Sequence, residues 1–339
     1  MRTGVPKNDA LIRGEMVVIR LIQAIRRECM SREISWLTVY GFGAHIKSTQ
    51  NKLIILKKGT VEEYPLDEIK NLLIVGGHTL NSTTLSRLIK NGAYIFFFEP
   101  DGIPVGIIRP YGDRSDEVIR NKQRELPRHR YAVALAQAAV RSRLIAIEKL
   151  QETRGIGIFY EGELQFLHKS LEELEYLVKL EEIRRLSRLT SDMYYEIISR
   201  AVPESLGFHR RTIRPQCDPV NSMFSFGYSI LFGNCCVAVI GARMDPDTGV
   251  LHEGPGALVN DLIEPFKAGM IDPVVMDISC NLLVPDDFEQ TQYRCLLSDS
   301  LIQKMTLAYK TAIDNEKIEK QVDNFMKALM KTDEFRVMF

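Results

Sequence analysis

Apolar positions change their spacing twice along the chain, and those changes divide it into three stretches. Residues 10 to 33 carry Leu11, Ile12, Met16, Ile19, Ile22 and Ile25 at intervals of three and four, with Arg13, Arg20, Arg26 and Arg27 elsewhere, which predicts an amphipathic helix. From Trp36 the apolar residues gather in short runs broken by glycine and polar turns: Leu37, Val39 and Ile46, then Leu53 to Leu56, Leu72 to Val75, Tyr94 to Phe98 and Ile103 to Ile108. These runs predict strands. Lys57-Lys58-Gly59-Thr60 and Asp101-Gly102 read as hairpin turns, Tyr64-Pro65-Leu66 as an edge strand, and Asn81 to Asn91 as a capped helix ended by Gly92. Arg109 to Ser115 is a linker by composition, and beyond it the spacing is helical: Arg130 to Thr153, two helices over 161–180 and 181–200 with a split near Leu186-Ser187, then 297–313 and 315–331. The predicted class is α+β, with a helical extension over residues 1–35, a β-rich domain over 36–110 and a larger α-helical domain over 111–339.

One stretch of the helical part stands out. Cys217-Asp218-Pro219-Val220-Asn221 is a turn and helix N-cap, and no charged residue occurs from Val220 to Ala242. Its 23 residues equal a membrane span in length. The segment nevertheless holds Asn221, Ser222, Ser225, Ser229 and Asn234, has no aromatic residues girdling both ends and has basic flanks on both sides, so a buried central helix is the better reading. A polar loop follows, Arg243 to Gly249, then Leu251-His252-Glu253-Gly254-Pro255-Gly256 and a second helix from Ala257 to Phe266. Asp261 and Glu264, three apart, project from one face of that helix.

Composition narrows the possible functions. Lys plus Arg equals Asp plus Glu at 44 each, so no global field draws the chain to nucleic acid or anionic lipid, and such binding must use local patches. Three basic clusters qualify: Arg120 to Arg130, Arg184-Arg185 with Arg188, and His209-Arg210-Arg211 with Arg214. The third immediately precedes the charge-free helix, close to the acidic pair, where phosphates need neutralising. Six scattered cysteines without a C-x-x-C pair fit reduced thiols, and the first residues lack the apolar core and cleavage site of a secretory signal, so a cytoplasmic location is expected. Phosphate-binding glycine loops and the G-x-S-x-G nucleophile motif are absent from the sequence, and Cys235-Cys236 lie inside the apolar helix.

An imidazole and a carboxylate can share a hard divalent ion that polarises a phosphoryl oxygen and activates an attacking hydroxyl. His252, Asp261 and Glu264 are the candidates, with Asp245 and Asp247 as competing loop ligands; a loop histidine beside a surface acidic pair has the same spacing.

The run Asp218-Pro219-Val220-Asn221-Ser222-Met223-Phe224-Ser225-Phe226-Gly227-Tyr228, followed by Gly249-Val250-Leu251-His252 and Leu258-Val259-Asn260-Asp261-Leu262-Ile263-Glu264-Pro265-Phe266, closely resembles the CRISPR-associated endonuclease and integrase family Cas1, over about residues 36 to 295. The resemblance implies a Mg2+- or Mn2+-dependent DNA nuclease and integrase that inserts short DNA into a repeat array, in antiviral defence. It implies a strand domain that pairs two protomers into a homodimer, a helical domain holding one divalent ion, and a small protein partner, Cas2. On the matching positions His252 and Glu264 would be metal ligands and Asp261 their acidic neighbour, these three forming the catalytic set, while Arg210, Arg211, Arg214 and Arg188 would grip the DNA backbone.

Two features depart from the family pattern. The family's first ligand is a Glu seven residues before a paired aromatic; setting that pair on Tyr194-Tyr195 puts Ser187 in the Glu position. Glu182 or Glu196 reaches it only through a large shift of register. The helical arm before Trp36 is the second departure. A catalytically degenerate, stand-alone homologue that binds DNA as a dimer without cleaving it is therefore the alternative.

Overall fold

The computed structural model describes residues 37–57, 59–99, 104–113, 115–155, 157–213, 215–291, 293–331 and 335–339. The helix expected over 10–33, the Asp101-Gly102 turn and Arg214 lie outside them. Strands come first: β1 (Leu37–Tyr40), β2 (His45–Ser48), β3 (Lys52–Lys57), β4 (Thr60–Pro65), β5 (Asn71–Val75) and β6 (Thr79–Leu80), then α1 (Ser82–Lys90), β7 (Tyr94–Phe98) and β8 (Pro104–Ile108). They form two four-stranded sheets, ordered β1-β5-β7-β8 and β4-β3-β2-β6. β5 runs parallel to both of its neighbours and is buried along its whole length, which is why its sequence shows no polar alternation. Its two faces serve two cores. Leu72 and Ile74 pack with Leu37, Val39, Ile46, Leu53 and Ile55 between the sheets, while Leu73 and Val75 face the helical lobe. α1 is capped by Asn81, whose Oδ1 accepts a hydrogen bond from the Thr84 amide at 2.8 Å.

The rest is helical: α2 (Ser115–Arg124), α3 (Arg128–Arg154), α4 (Glu161–Leu174), α5 (Leu180–Ser199), α6 (Pro219–Gly241), α7 (Ala257–Phe266) and α8 (Asp272–Asp277), a small hairpin of β9 (Phe288–Gln290) and β10 (Cys295–Leu297), then α9 (Asp299–Ala312) and α10 (Asn315–Lys331). The α+β class expected from the spacing holds: strands first, then a larger helical region. The helix break does not fall at Leu186-Ser187. α5 runs through that point because Ile183, Leu186, Thr190, Tyr194 and Ile197 keep one buried stripe, and the chain leaves helix between α4 and α5 instead.

α6 is the charge-free segment, and it is a core helix. Asp218 caps it by accepting from the Asn221 amide at 2.8 Å, Pro219 opens it, and Pro219 to Phe224 and Cys235 to Val239 are buried, with Gly227, Leu231, Gly233 and Gly241. Near its end, Val237 and Ile240 pack on Leu73, Val75, Tyr94, Phe96 and Phe98 of the first sheet, and Arg243 lies over the Tyr94 ring at 3.7 Å. Burial pushes the Cys236 thiol up to about 12, so it is a packing group and not a nucleophile. The five described cysteines form no disulfide.

The middle of α6 is tightly enclosed. A Cβ on Gly227 would come within 2.6 Å of Ile271 Cγ2 and 2.7 Å of Tyr309 Cζ. Gly227→Ala is expected to destabilise the protein by about 1–3 kcal/mol through overpacking, read from thermal denaturation. An unchanged melting temperature would show that α6 and α9 separate more easily than this packing implies.

Candidate active site

The loop between α6 and α7 is fastened at both ends before it presents any chemistry. Gln123 Nε2 donates to the carbonyls of Asp245 and Thr248, each at 2.8 Å, and Gln123 Oε1 accepts from the Asp245 amide. Asp245 accepts from the Asp247 amide and the Thr248 hydroxyl, and Asp247 accepts from the Gly256 amide at 2.7 Å. These two acids, competing ligands by spacing, hold the loop together. Gly256 turns the chain into α7 at a φ of +68°, with Phe232 so near that a Cβ would sit 2.5 Å from its ring.

Asp261 is the centre of this construction. Its carboxylate is completely buried; Oδ2 accepts from the Val250 and Leu251 amides at 2.6 and 3.1 Å, and Oδ1 accepts from the His252 amide at 2.8 Å and lies 2.7 Å from His252 Nδ1. A carboxylate accepts only, so Nδ1 donates, and in the neutral imidazole Nε2 keeps its lone pair. The imidazole is 46% exposed, and Nε2 has no hydrogen-bond partner among the described residues. Arg184 braces the same loop, donating to the Leu251 carbonyl at 2.5 Å and pairing with Glu253 at 2.7 Å.

Glu264 stands one turn further along α7 and within electrostatic reach of His252. Each of its oxygens already meets a cation: Arg143 of α3 pairs with Oε1, and Lys267 with Oε2 at 2.5 Å. Burial pushes the Glu264 carboxyl up, but Lys267 and Arg143 outweigh it and hold the group down at about 2. Arg143 is only 5% exposed and also donates to Thr190 Oγ1 on α5. Behind this cluster, Asp272 accepts from Tyr194 at 2.7 Å and Tyr228 at 2.6 Å, and the Tyr195 and Tyr228 hydroxyls lie 2.6 Å apart. Burial pushes Asp272 up to about 6, against the pull of both tyrosine hydrogen bonds. Lys267 and Arg211 both lie over the Tyr228 ring, at 5.2 and 5.5 Å.

The structure brings His252 and Asp261 into contact, whereas Glu264, expected beside them, lies within electrostatic reach of His252 but meets Arg143 and Lys267 instead. Asp261 turns inward to the loop, and Glu264 turns to α3. Arg188 and Arg210 are exposed, whereas Arg211 is folded onto α6, donating to Asn221 Oδ1 at 2.9 Å and Ser225 Oγ at 2.8 Å. The spacing argument missed Arg143. Its signal was present: it occupies the buried stripe Ala132, Ala136, Ala139, Arg143, Ile147 of α3, where a cation must have a buried counter-charge.

A family model described as CRISPR associated protein Cas1 matches residues 37–311. A relative from Methanospirillum hungatei, named provisionally as a CRISPR-associated endonuclease, Cas1 2, is 40% identical over 88% of this chain and 99% of its own length. The chain belongs to the Cas1 family. Solved structures share its fold: a casposase bound to integration product, with a TM-score of 0.74 at 19% identity, covers 88% of this chain and 96% of its own. A partial Cas6-RT-Cas1–Cas2 complex gives a TM-score of 0.70 at 19% identity over 89% of this chain and 97% of its own.

The divalent ion that Cas1 resemblance implies can be tested against the donors present. Among the described residues no group of three or more His, Cys, Asp or Glu side chains converges. Of the donors in this Cas1 chain, Asp261 is fully spent on the loop, Glu264 is neutralised on both oxygens, and His252 Nε2 alone stands uncommitted. Ser187, at the Glu position of the family pattern, is half-buried on α5, and its carbonyl accepts from Thr190, the residue that meets Arg143. A hydroxyl, one imidazole and an already paired carboxylate do not fit a magnesium site.

Proposed function

We propose that the protein acts on DNA in CRISPR adaptation, as an endonuclease and integrase that joins short DNA into a repeat array. It would do so as a homodimer, with a small Cas2 protein as partner, in the cytoplasm and without a membrane. The family and the names of its relatives support the reaction class, and the Asp261–His252 pair carries the proposal to this chain. A fixed imidazole with a free Nε2 on an accessible rim is placed to take the proton of an attacking hydroxyl. In that step a DNA 3′-hydroxyl oxygen bonds to phosphorus, its proton passes to His252 Nε2, and the opposite phosphorus–oxygen bond breaks, its electron pair leaving with the displaced oxygen. Arg143 and Lys267 offset the charge on the non-bridging oxygens. Arg188 and Arg210 would hold the flanking backbone, with Arg214 on the same segment. The edge strand β8 exposes Val105 and Ile107, an apolar strip suited to pairing two strand lobes.

A second reading is favoured by one observation: Glu264 is closed by two cations and a serine stands at position 187; on this reading the protein would bind DNA without cutting it. Cleavage and strand transfer on branched DNA, with manganese and separately with a chelator, decide between the two. The catalytic reading expects products from wild type and a loss of about a hundredfold or more in His252→Ala. Equal silence of the two proteins, with salt-dependent binding retained, leaves the second reading standing; no binding removes both.

A further inference from the structure

We infer that Arg143 and Lys267 take the electrostatic place of a divalent ion in this chain, so that the site binds a DNA phosphodiester with built-in cations and no Mg2+ or Mn2+. The inference rests on the DNA-binding half of the proposed function.

Charge counting leads to it. Arg143, Lys267 and Arg211 bring three positive charges to this cluster, and the carboxylates of Glu264 and of Asp272, which lies within electrostatic reach of Arg143 and Lys267, bring two negative ones, so one positive charge is left over, which a single phosphodiester neutralises. A divalent ion seated there would add two more positive charges to a largely buried cluster whose two carboxylates, Glu264 and Asp272, are already engaged. Asp261 cannot turn to help without dropping three backbone amides and the imidazole. Asp272 is already bonded to two tyrosines.

The cations are also built in, not adventitious. Arg143 is held on α3 by Thr190 as well as Glu264, and such a preorganised guanidinium is suited to a phosphate oxygen. Lys267 uses one of its three N–H groups on Glu264 and lies against the Tyr228 ring, beside Arg211. Lys267 and Arg211 therefore carry the positive charge of the cluster towards the surface, with the buried Arg143 behind them.

Two measurements on the full chain test this. In the first, manganese is titrated into chelator-treated wild type and His252→Ala, and free Mn2+ is read by electron paramagnetic resonance. The two proteins are expected to be indistinguishable; additional uptake by wild type overturns the inference, whatever the DNA result. In the second, binding of a branched duplex is measured with Mg2+ and with chelator at matched ionic strength. Equal affinity is expected, with Lys267→Gln weaker by about tenfold in both conditions. A wild-type affinity that collapses without Mg2+, or a Lys267→Gln protein that binds as tightly as wild type, overturns it. Failure to bind DNA in either condition removes the proposed function instead, and the Mn2+ titration still decides the metal question.

Discussion

Asp261→Ala is expected to lower the unfolding free energy by about 3–5 kcal/mol, a large share of the stability of a domain this size. The substitution removes one fully buried carboxylate that accepts from the amides of Val250, Leu251 and His252 and holds His252 Nδ1. Val250 and Leu251 are buried, so their orphaned amides have no water to turn to, and each costs about 1–3 kcal/mol. Asp261→Asn keeps the carbonyl oxygen but faces donors with an NH2 group, so it should lose roughly half as much. Urea denaturation at neutral pH measures both. An alanine variant within about 1 kcal/mol of wild type would mean that the loop re-forms its hydrogen bonds elsewhere, and the account of Asp261 as its anchor would fail.

Glu264→Leu is expected to cost a similar amount, about 3–5 kcal/mol, for a different reason: it strands the Arg143 guanidinium and the Lys267 ammonium in a largely buried place without their counter-charge. The same chemistry fixes the pH dependence. The Glu264 carboxyl is held down at about 2 against an ordinary value of 4.5, so the folded state binds that proton less readily than the unfolded state. Stability from this group is therefore complete above about pH 4.5 and is lost as pH falls towards about 2, amounting to about 3 kcal/mol. Asp272, pushed up to about 6, acts in the opposite sense: its contribution is present below its unfolded value near 3.8 and is lost as pH rises through 6. Melting curves from pH 2 to 7 separate the two. In Glu264→Leu the acid limb below pH 4.5 should flatten; an unchanged limb would show that the Arg143 and Lys267 pairs contribute little.

Much of the fold was legible because local rules and burial agree. β5 reads as an unbroken apolar run since both of its faces are covered, and α6 announces its start through Asp218-Pro219 and its burial through the lack of charge. The split expected near Leu186-Ser187 is absent because the buried stripe of α5 passes on either side of the serine. At the site, spacing could bring His252 near Asp261, but it could not assign Asp261 to the loop amides or Glu264 to Arg143 and Lys267. Helical periodicity places two acids on one face and says nothing about which oxygens will meet loop amides. Arg143 escaped notice because arginine is ordinarily a surface residue, and its partner lies 121 positions away.

The contact of α6 with the first sheet has a mechanical consequence. Its later turns grip the strand lobe through Val237 and Ile240, and its first turn anchors Arg211 through Asn221. The helix thus works as a strut about 35 Å long between the two. A force applied to the strand lobe would be transmitted along it to the end that holds Arg211. Nor is the strand lobe a detachable handle: cutting the chain ahead of α2 would leave Val237 and Ile240 facing water.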